Sequence, residues 1–320
     1  MTDERSAGRA PKTTDPSTKG PSLSLVTESI RSPETTVSIE LFPPKGERGA
    51  ERVLKEVAEI QAGMEVAFTS VTYGAGGSTR DGTLQLVLNL ARLHPGRVVA
   101  HLTCVGATEG DLGSLMAAYQ AEGMRDILAL RGDIPEGMTR EQAAAGGFHY
   151  AVDLVRWLRR LGGFASIGVA CFPEAHPETP DLATHLGHFA AKAGSGVDYA
   201  LSQFFFENGL WERFLEECAR RGIGIPLAPG LLPVRDLDQL LRFAARCGAS
   251  VPDWVVKALE PYREDPEGFQ EKSADLAARQ IEGLKALGAR HVHIYCLNKS
   301  DLVLKIAKRL GWGKGPKVSS

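Results

Sequence analysis

The chain has 320 residues, 43% of them hydrophobic and 24% charged, with a formal net charge of -2. That is the composition of a globular protein of one large or two ordinary domains, and it gives no electrostatic reason to expect nucleic acid or an anionic membrane as partner. No apolar run is long enough to span a bilayer, no secretory leader is expected, and five cysteines without a CxxC pair fit reduced thiols in the cytoplasm.

Residues 1 to about 35 are rich in Ser, Thr, Pro, Gly and Lys. They are expected to form a disordered tail, with a short helix or turn near Leu23 to Ile30. The first strand is expected over 37–42, where Val37, Ile39 and Leu41 alternate with Ser38, Glu40 and Phe42. Pro43 and Pro44 end it. A helical run follows over 49–62, and the order then repeats. Further strands are expected over 67–73, 97–104, 126–131, 165–172, 199–205, 225–230 and 291–297. Helical runs fall between them, over 81–93, 108–122, 148–161, 181–193, 210–221, 235–247 and 265–287. A shorter helical piece lies near 252–260, and a last helix over 300–310. Residues 313–320 read as a frayed end. Eight strands, each followed by a helix, imply a parallel sheet. The expectation is an α/β fold, a single (β/α)8 TIM barrel over 36–312. An open doubly wound sheet is the alternative. It usually carries a glycine-rich turn after its first strand, and "LFPPKGERGA" is not one.

Period-2 parity locates a site. In a closed barrel one strand face meets the helices and the other points inward, its last residue reaching the mouth. On that reading one parity collects Glu40, Thr72, His101, Arg131, Asp133, Gln203 and Tyr295, all near strand C-terminal ends. Barrel enzymes keep their chemistry there. Each residue taken singly also fits a satisfied polar strand end. Gly168 and Ala170 share the parity and leave room for a bulky planar ligand. Glu40 is the odd member: burying an unpaired carboxylate costs several kcal/mol or neutralises it. Two acids, Glu40 and Asp133, suggest general acid work. Arg131 and Asp133 equally fit a pair bracing their own loop. His185 and His188 stand three apart on one helix, but no third ligand accompanies them, so no metal is expected. No GxSxG or P-loop occurs.

The segments "IELFPPKG", "SVTYGAGGSTRDGT", "AHLTCVGAT", "ALRGDIP", "FPEAHPE", "SQFFFENG", "PGLLPV" and "HIYCLNKS" follow one another over residues 36 to 312. In order and spacing they resemble methylenetetrahydrofolate reductase of the bacterial type. The resemblance implies a barrel flavoprotein that uses FAD to pass a hydride from NADH or NADPH to a reduced folate. The reaction would be ping-pong, giving 5-methyltetrahydrofolate for methionine supply, in a cytoplasmic homo-oligomer. By position, Glu40 matches the acid that opens the methylene bridge. Asp133 matches the aspartate near flavin and pterin. Thr72, His101, Arg131, Gly132, Asp133, Ala151, His176 and Lys192 match flavin-contacting positions. Gln203, Gln239 and Tyr295 match substrate-contacting ones. Three positions depart. Phe172 stands where tyrosine is usual, His185 where many members have an aspartate, and Lys299 where some have arginine against the folate carboxylate. The departures keep a flavin-free folate-binding barrel as the alternative, beside a barrel that has lost catalysis.

Overall fold

The computed structural model describes residues 23–44, 46–73, 77–179 and 181–314. Eight parallel strands close into one barrel in the order β1 to β8. They are β1 Thr36–Leu41, β2 Phe68–Val71, β3 Val98–Thr103, β4 Asp126–Leu130, β5 Ser166–Cys171, β6 Tyr199–Phe204, β7 Leu227–Leu231 and β8 His291–Tyr295. Closure is made by β1 pairing with β8, with Thr36, Ser38 and Glu40 opposite His291, His293 and Tyr295.

The helices are α1 Leu25–Ile30, α2 Gly46–Gly63, α3 Gly77–Leu93, α4 Glu109–Ala121, α5 Arg140–Ala143 and α6 Ala151–Leu161. They continue with α7 Leu182–Ala193, α8 Asn208–Arg220, α9 Leu237–Cys247, α10 Asp253–Leu259, α11 Pro266–Ala286 and α12 Asp301–Arg309. Local chemistry sets their starts. Thr108 and Asp111 form a reciprocal cap at α4. Asp265 accepts from the Gly268 amide while Pro266 opens α11. The short α5 was not expected from the sequence. Four residues give too little periodicity to read, although Thr139 and Gln142 cap it reciprocally.

The main core lies between strands and helices, where Ile39, Leu41, Val71, Ala100, Leu102, Ile127 and Val169 meet the helical faces. A second cluster fills the barrel floor: Val26, Ile30, Phe68, Val99, Leu128, Tyr199 and Leu201. Helix α1 therefore plugs the barrel from below, capped by Ser24 accepting from the Thr27 amide. Helix α1 is the short helix or turn expected near Leu23 to Ile30, so structure begins ahead of residue 36. The rest of the expected tail, 1–22, and residues 315–320 lie outside the described residues.

Two parity readings are corrected. On β4 it is Leu128 that joins the floor cluster, while Ile127 and Ala129 face the helices. Arg131 and Asp133 lie beyond the strand, in a loop that turns at Gly132 with φ 88°, so strand alternation no longer fixes where they point. The space at Gly168 is not left for a ligand. The Tyr199 ring fills it, in contact with where a Cβ would stand.

The floor plug makes a stability prediction. Ile30→Ala is expected to cost about 2 kcal/mol or more, the usual range for truncating a buried aliphatic. Urea unfolding at constant m-value measures it, and an unchanged midpoint would mean α1 is not docked in solution.

Candidate active site

Glu40 is the next-to-last residue of β1, with Ser70 of β2 and Tyr295 of β8 as its neighbours in register. It is 6% exposed. Its Oε2 lies 3.4 Å from His293 Nε2 and 3.4 Å from His101 Nε2. The first contact is aligned as a hydrogen bond; His101 Nε2 has no hydrogen-bond partner. Burial pushes His101 down to about 4, although the Glu40 carboxyl works against the shift. Tyr295 lies across the same opening, its hydroxyl donating to the Ser202 carbonyl at 2.6 Å. Gly230 makes this possible, because a Cβ there would strike both groups. Burial holds the Tyr295 hydroxyl well above its ordinary range.

A second group of expected residues gathers on the β4–β5 side. The Arg131 guanidinium grips Glu178 through both Nη atoms, at 2.8 and 2.5 Å, and Arg140 adds a bond of 2.6 Å. The Arg131 bond is the main reason Glu178 falls to about 2. Arg131 is thus braced by Glu178, not by Asp133, which is exposed. Gly132 is confined: a Cβ would come within 2.9 Å of Thr103 and of Val105. Next to Arg131 opens a cavity of about 370 Å³, lined also by Val105, Ile134, Arg140, Phe148 and Tyr150. Its size suits part of a cofactor. Ala151 begins α6 beside it.

Phe172 follows β5 and meets His176 and His185 edge to face, at 4.9 and 5.9 Å. His185 is buried, its Nε2 3.2 Å from the Phe172 carbonyl, and burial lowers it to about 4. His188 is exposed, so the two histidines do not converge. No group of three His, Cys, Asp or Glu side chains among the described residues is arranged to hold a metal. Lys192 donates to the Ala170 carbonyl at 2.5 Å, and burial lowers it to about 8. Among the described residues it forms no salt bridge with a carboxylate. A half-buried ammonium without a counter-ion is ready to receive an anion.

The remaining expected residues are more dispersed. Thr72 follows β2 at the mouth, partly buried. Gln203 turns its Oε1 back onto the Phe204 amide at 2.9 Å. Gln239 sits in the first turn of α9. Lys299 is held by Glu56 of α2 at 3.1 Å, with Ser300 on the same carboxylate. Sequence reasoning missed Glu178 and Arg140. Glu178 stands in the quoted run "FPEAHPE", but only the fold brings it to Arg131.

Three comparisons show what the chain is similar to. The family model for methylenetetrahydrofolate reductase matches residues 25–311. The 5,10-methylenetetrahydrofolate reductase of Escherichia coli (strain K12) is 31% identical over 278 residues, 87% of this chain and 91% of that protein. That of Pectobacterium carotovorum is 32% identical over 275 residues, 86% of this chain and 90% of that protein. A probable methylenetetrahydrofolate reductase (NADH) of rice is 30% identical over 93% of this chain, which spans only 52% of the rice protein. Among solved structures, an uncharacterized Clostridium thermocellum protein that binds two copies of 5-methyl-5,6,7,8-tetrahydrofolic acid superposes with TM-score 0.60. The match covers 88% of this chain and 96% of that one at 14% identity, a likeness of fold alone. The chain belongs to the methylenetetrahydrofolate reductase family.

Two of the buried imidazoles, His101 and His185, predict an acid-side stability loss. His101 and His185 stand at about 4 in the fold against an ordinary 6.5. Between those values the unfolded chain binds protons that the folded chain refuses, so stability falls as pH drops from 6.5 towards 4. Urea midpoints should decline across that window and decline less in His185→Gln. A flat profile would mean that the imidazoles are solvated.

Proposed function

We propose that this member of the methylenetetrahydrofolate reductase family reduces 5,10-methylenetetrahydrofolate to 5-methyltetrahydrofolate. The hydride originates on NADH or NADPH, and FAD is the bound cofactor. The observation that carries the reading is Glu40, a buried carboxyl at a barrel mouth, in reach of two imidazoles and beside Tyr295. FAD, when bound, supplies the hydride relay between nicotinamide and folate.

The chain's own residues divide the remaining work. Lys192, with no carboxylate partner, and Arg131 would hold the cofactor's pyrophosphate, with Gly132 giving close backbone approach. Thr72, His101, Ala151, Phe172, His176 and His185 would line the rest of the cofactor. His101 stays neutral at physiological pH, since burial holds it at about 4. Gln203, Gln239 and Tyr295 would position the folate, and Lys299 its glutamate carboxylate. Asp133, exposed at the mouth, would meet the pterin. Glu40 gives its proton to the bridging nitrogen. The C–N bond breaks with its electron pair on that nitrogen, and the methylene carbon becomes an iminium able to accept hydride. The reading includes a cytoplasmic homo-oligomer. It involves neither nucleic acid nor membrane, and no helix among the described residues is long and apolar enough to cross one.

Two observations favour a flavin-free folate-binding barrel instead. Arg131 is already gripped by Glu178, and Phe172 lacks the hydroxyl usual at its position. An absorption spectrum separates the two. The reductase reading expects a yellow protein, bleached anaerobically by NADH or NADPH. A colourless protein that acquires no bound-flavin spectrum on addition of FAD would reject it.

The acid role has its own test. Loss of a general acid typically costs 10²–10⁴-fold. Glu40→Gln should lower folate reduction by roughly 100-fold or more, while NADH oxidation by an artificial acceptor persists. Normal folate turnover in that variant would remove Glu40 from the mechanism.

A further inference from the structure

Below Glu40 the barrel lumen holds a continuous file of polar side chains. Thr36 Oγ1 donates to the Ser29 carbonyl of α1 at 2.7 Å. The same oxygen lies 2.7 Å from His291 Nδ1. Ser38 Oγ is 2.7 Å from His291 Nε2 and 2.6 Å from His293 Nδ1. His293 Nε2 then meets Glu40 at 3.4 Å and the Ser70 hydroxyl at 3.5 Å. The file is buried: Ser38, His291 and His293 are at most 1% exposed.

Hydroxyls have one proton each, and that fixes every direction in the file. Thr36 has spent its proton on a backbone carbonyl, which cannot reciprocate. It must accept from His291, so His291 carries its proton on Nδ1. Burial holds His291 neutral, well below its ordinary range. Its Nε2 is therefore bare and accepts from Ser38. Ser38 has then spent its own proton and accepts from His293 Nδ1–H. His293 Nε2 is left facing Glu40. Glu40 at 3.4 Å is the nearer partner and the Ser70 hydroxyl at 3.5 Å the farther; a bond to Glu40 requires one proton between the two: either Glu40 is the acid and His293 neutral, or His293 is imidazolium and Glu40 carboxylate.

We propose that Thr36, anchored to the Ser29 carbonyl of α1, locks the tautomers of His291 and His293 so that the Glu40–His293 pair always holds the proton required for folate reduction. Thr36, His291 and Ser38 are positioning residues; they touch no substrate. The proposal rests on Glu40 being the proton donor, but the lock itself does not. The other ionisable groups facing the pair do not supply a competing proton path. His101 is neutral through burial, and burial keeps Tyr295 and Cys247 in their protonated forms. Without the Thr36 anchor the file can reverse. His291 would carry its proton on Nε2 and donate to Ser38. Ser38 would donate to His293 Nδ1, and His293 Nε2–H would donate to a Glu40 carboxylate with no proton to give.

The test is imidazole 15N NMR on the full chain labelled at histidine, with His291 and His293 assigned by single substitution. The wild-type protein should show His291 as the Nδ1–H tautomer and His293 protonated at Nδ1. A neutral Nε2–H tautomer at either residue overturns the lock. Thr36→Val should move His291 to Nε2–H and lower the kcat of folate reduction roughly 10-fold or more, with NADH oxidation by an artificial acceptor retained. Thr36→Ser, which keeps the hydroxyl, should restore both. Thr36→Val with wild-type tautomers and kcat would refute the proposal. If Thr36→Val fails to fold, the wild-type spectrum decides alone. If the protein reduces no folate at all, the reading of its function fails, and the spectrum still judges the lock.

Discussion

A carboxyl group enclosed in a barrel lumen must be given partners or lose its charge, and the partners of Glu40 come from the strand pair that closes the sheet. Only in a closed barrel does the first strand lie beside the last. That closure sets Thr36, Ser38 and Glu40 opposite His291, His293 and Tyr295. Each chain segment alone would carry polar groups with no use on an apolar strand. Together they satisfy one another, which is the condition on which buried polar networks are tolerated. The floor plug completes the arrangement. Helix α1 shuts the lower opening with Val26 and Ile30 and also supplies the carbonyl that anchors the file.

The mouth is divided into two electrostatic halves. Around the Glu40–His293 pair the neighbours are neutral: His101 is kept uncharged by burial, Tyr295 and Cys247 kept protonated. The β4–β5 side instead concentrates cations, with Arg131 and Arg140 on one engaged carboxylate, Glu178, and Lys192 on the Ala170 carbonyl. Glu178 carries one negative charge against the two positive charges of Arg131 and Arg140, and Lys192 has no carboxylate partner among the described residues, so positive charge is in excess. The half that lacks a counter-charge suits an anionic ligand, and the half that lacks fixed charge suits proton transfer.

Strand parity made most of this legible before any coordinates. Glu40, His101 and Tyr295 lie within or at the end of regular ladders, where alternation fixes direction; Gln203 lies where the β6–β7 register shifts between Leu201 and Phe204. The reading failed where the ladder stops. Beyond Leu130 the chain turns at Gly132, so the inward assignment of Arg131 and Asp133 had no strand to support it. Gly168 failed differently. A missing Cβ reads as free space in a sequence, but Tyr199, from the neighbouring strand, occupies it. Glu178 and Ser29 were invisible because their partners lie 47 residues from Glu178 and seven from Ser29, across loops with no periodicity.

The same contrast explains why the proton site belongs on strands and the charge site on the loop and helices beyond them. A tautomer lock needs each donor held within a few tenths of an ångström of one acceptor, since a slipped bond would let the file reverse. Strands in a closed barrel share their neighbours' hydrogen bonds and hold that register. An anion needs only cations within Coulombic reach, and a flexible ammonium or guanidinium can supply them from a turn. Lys192 shows the limit of that freedom. Its stem packs over Phe189, with Nζ 5.6 Å from the ring centre, and its head is tied to the Ala170 carbonyl. A cation carried on the last turn of α7 is thereby fixed to a strand end, one residue short of Cys171 where β5 stops. Loop and helices provide the charge, and the barrel still decides where it stands.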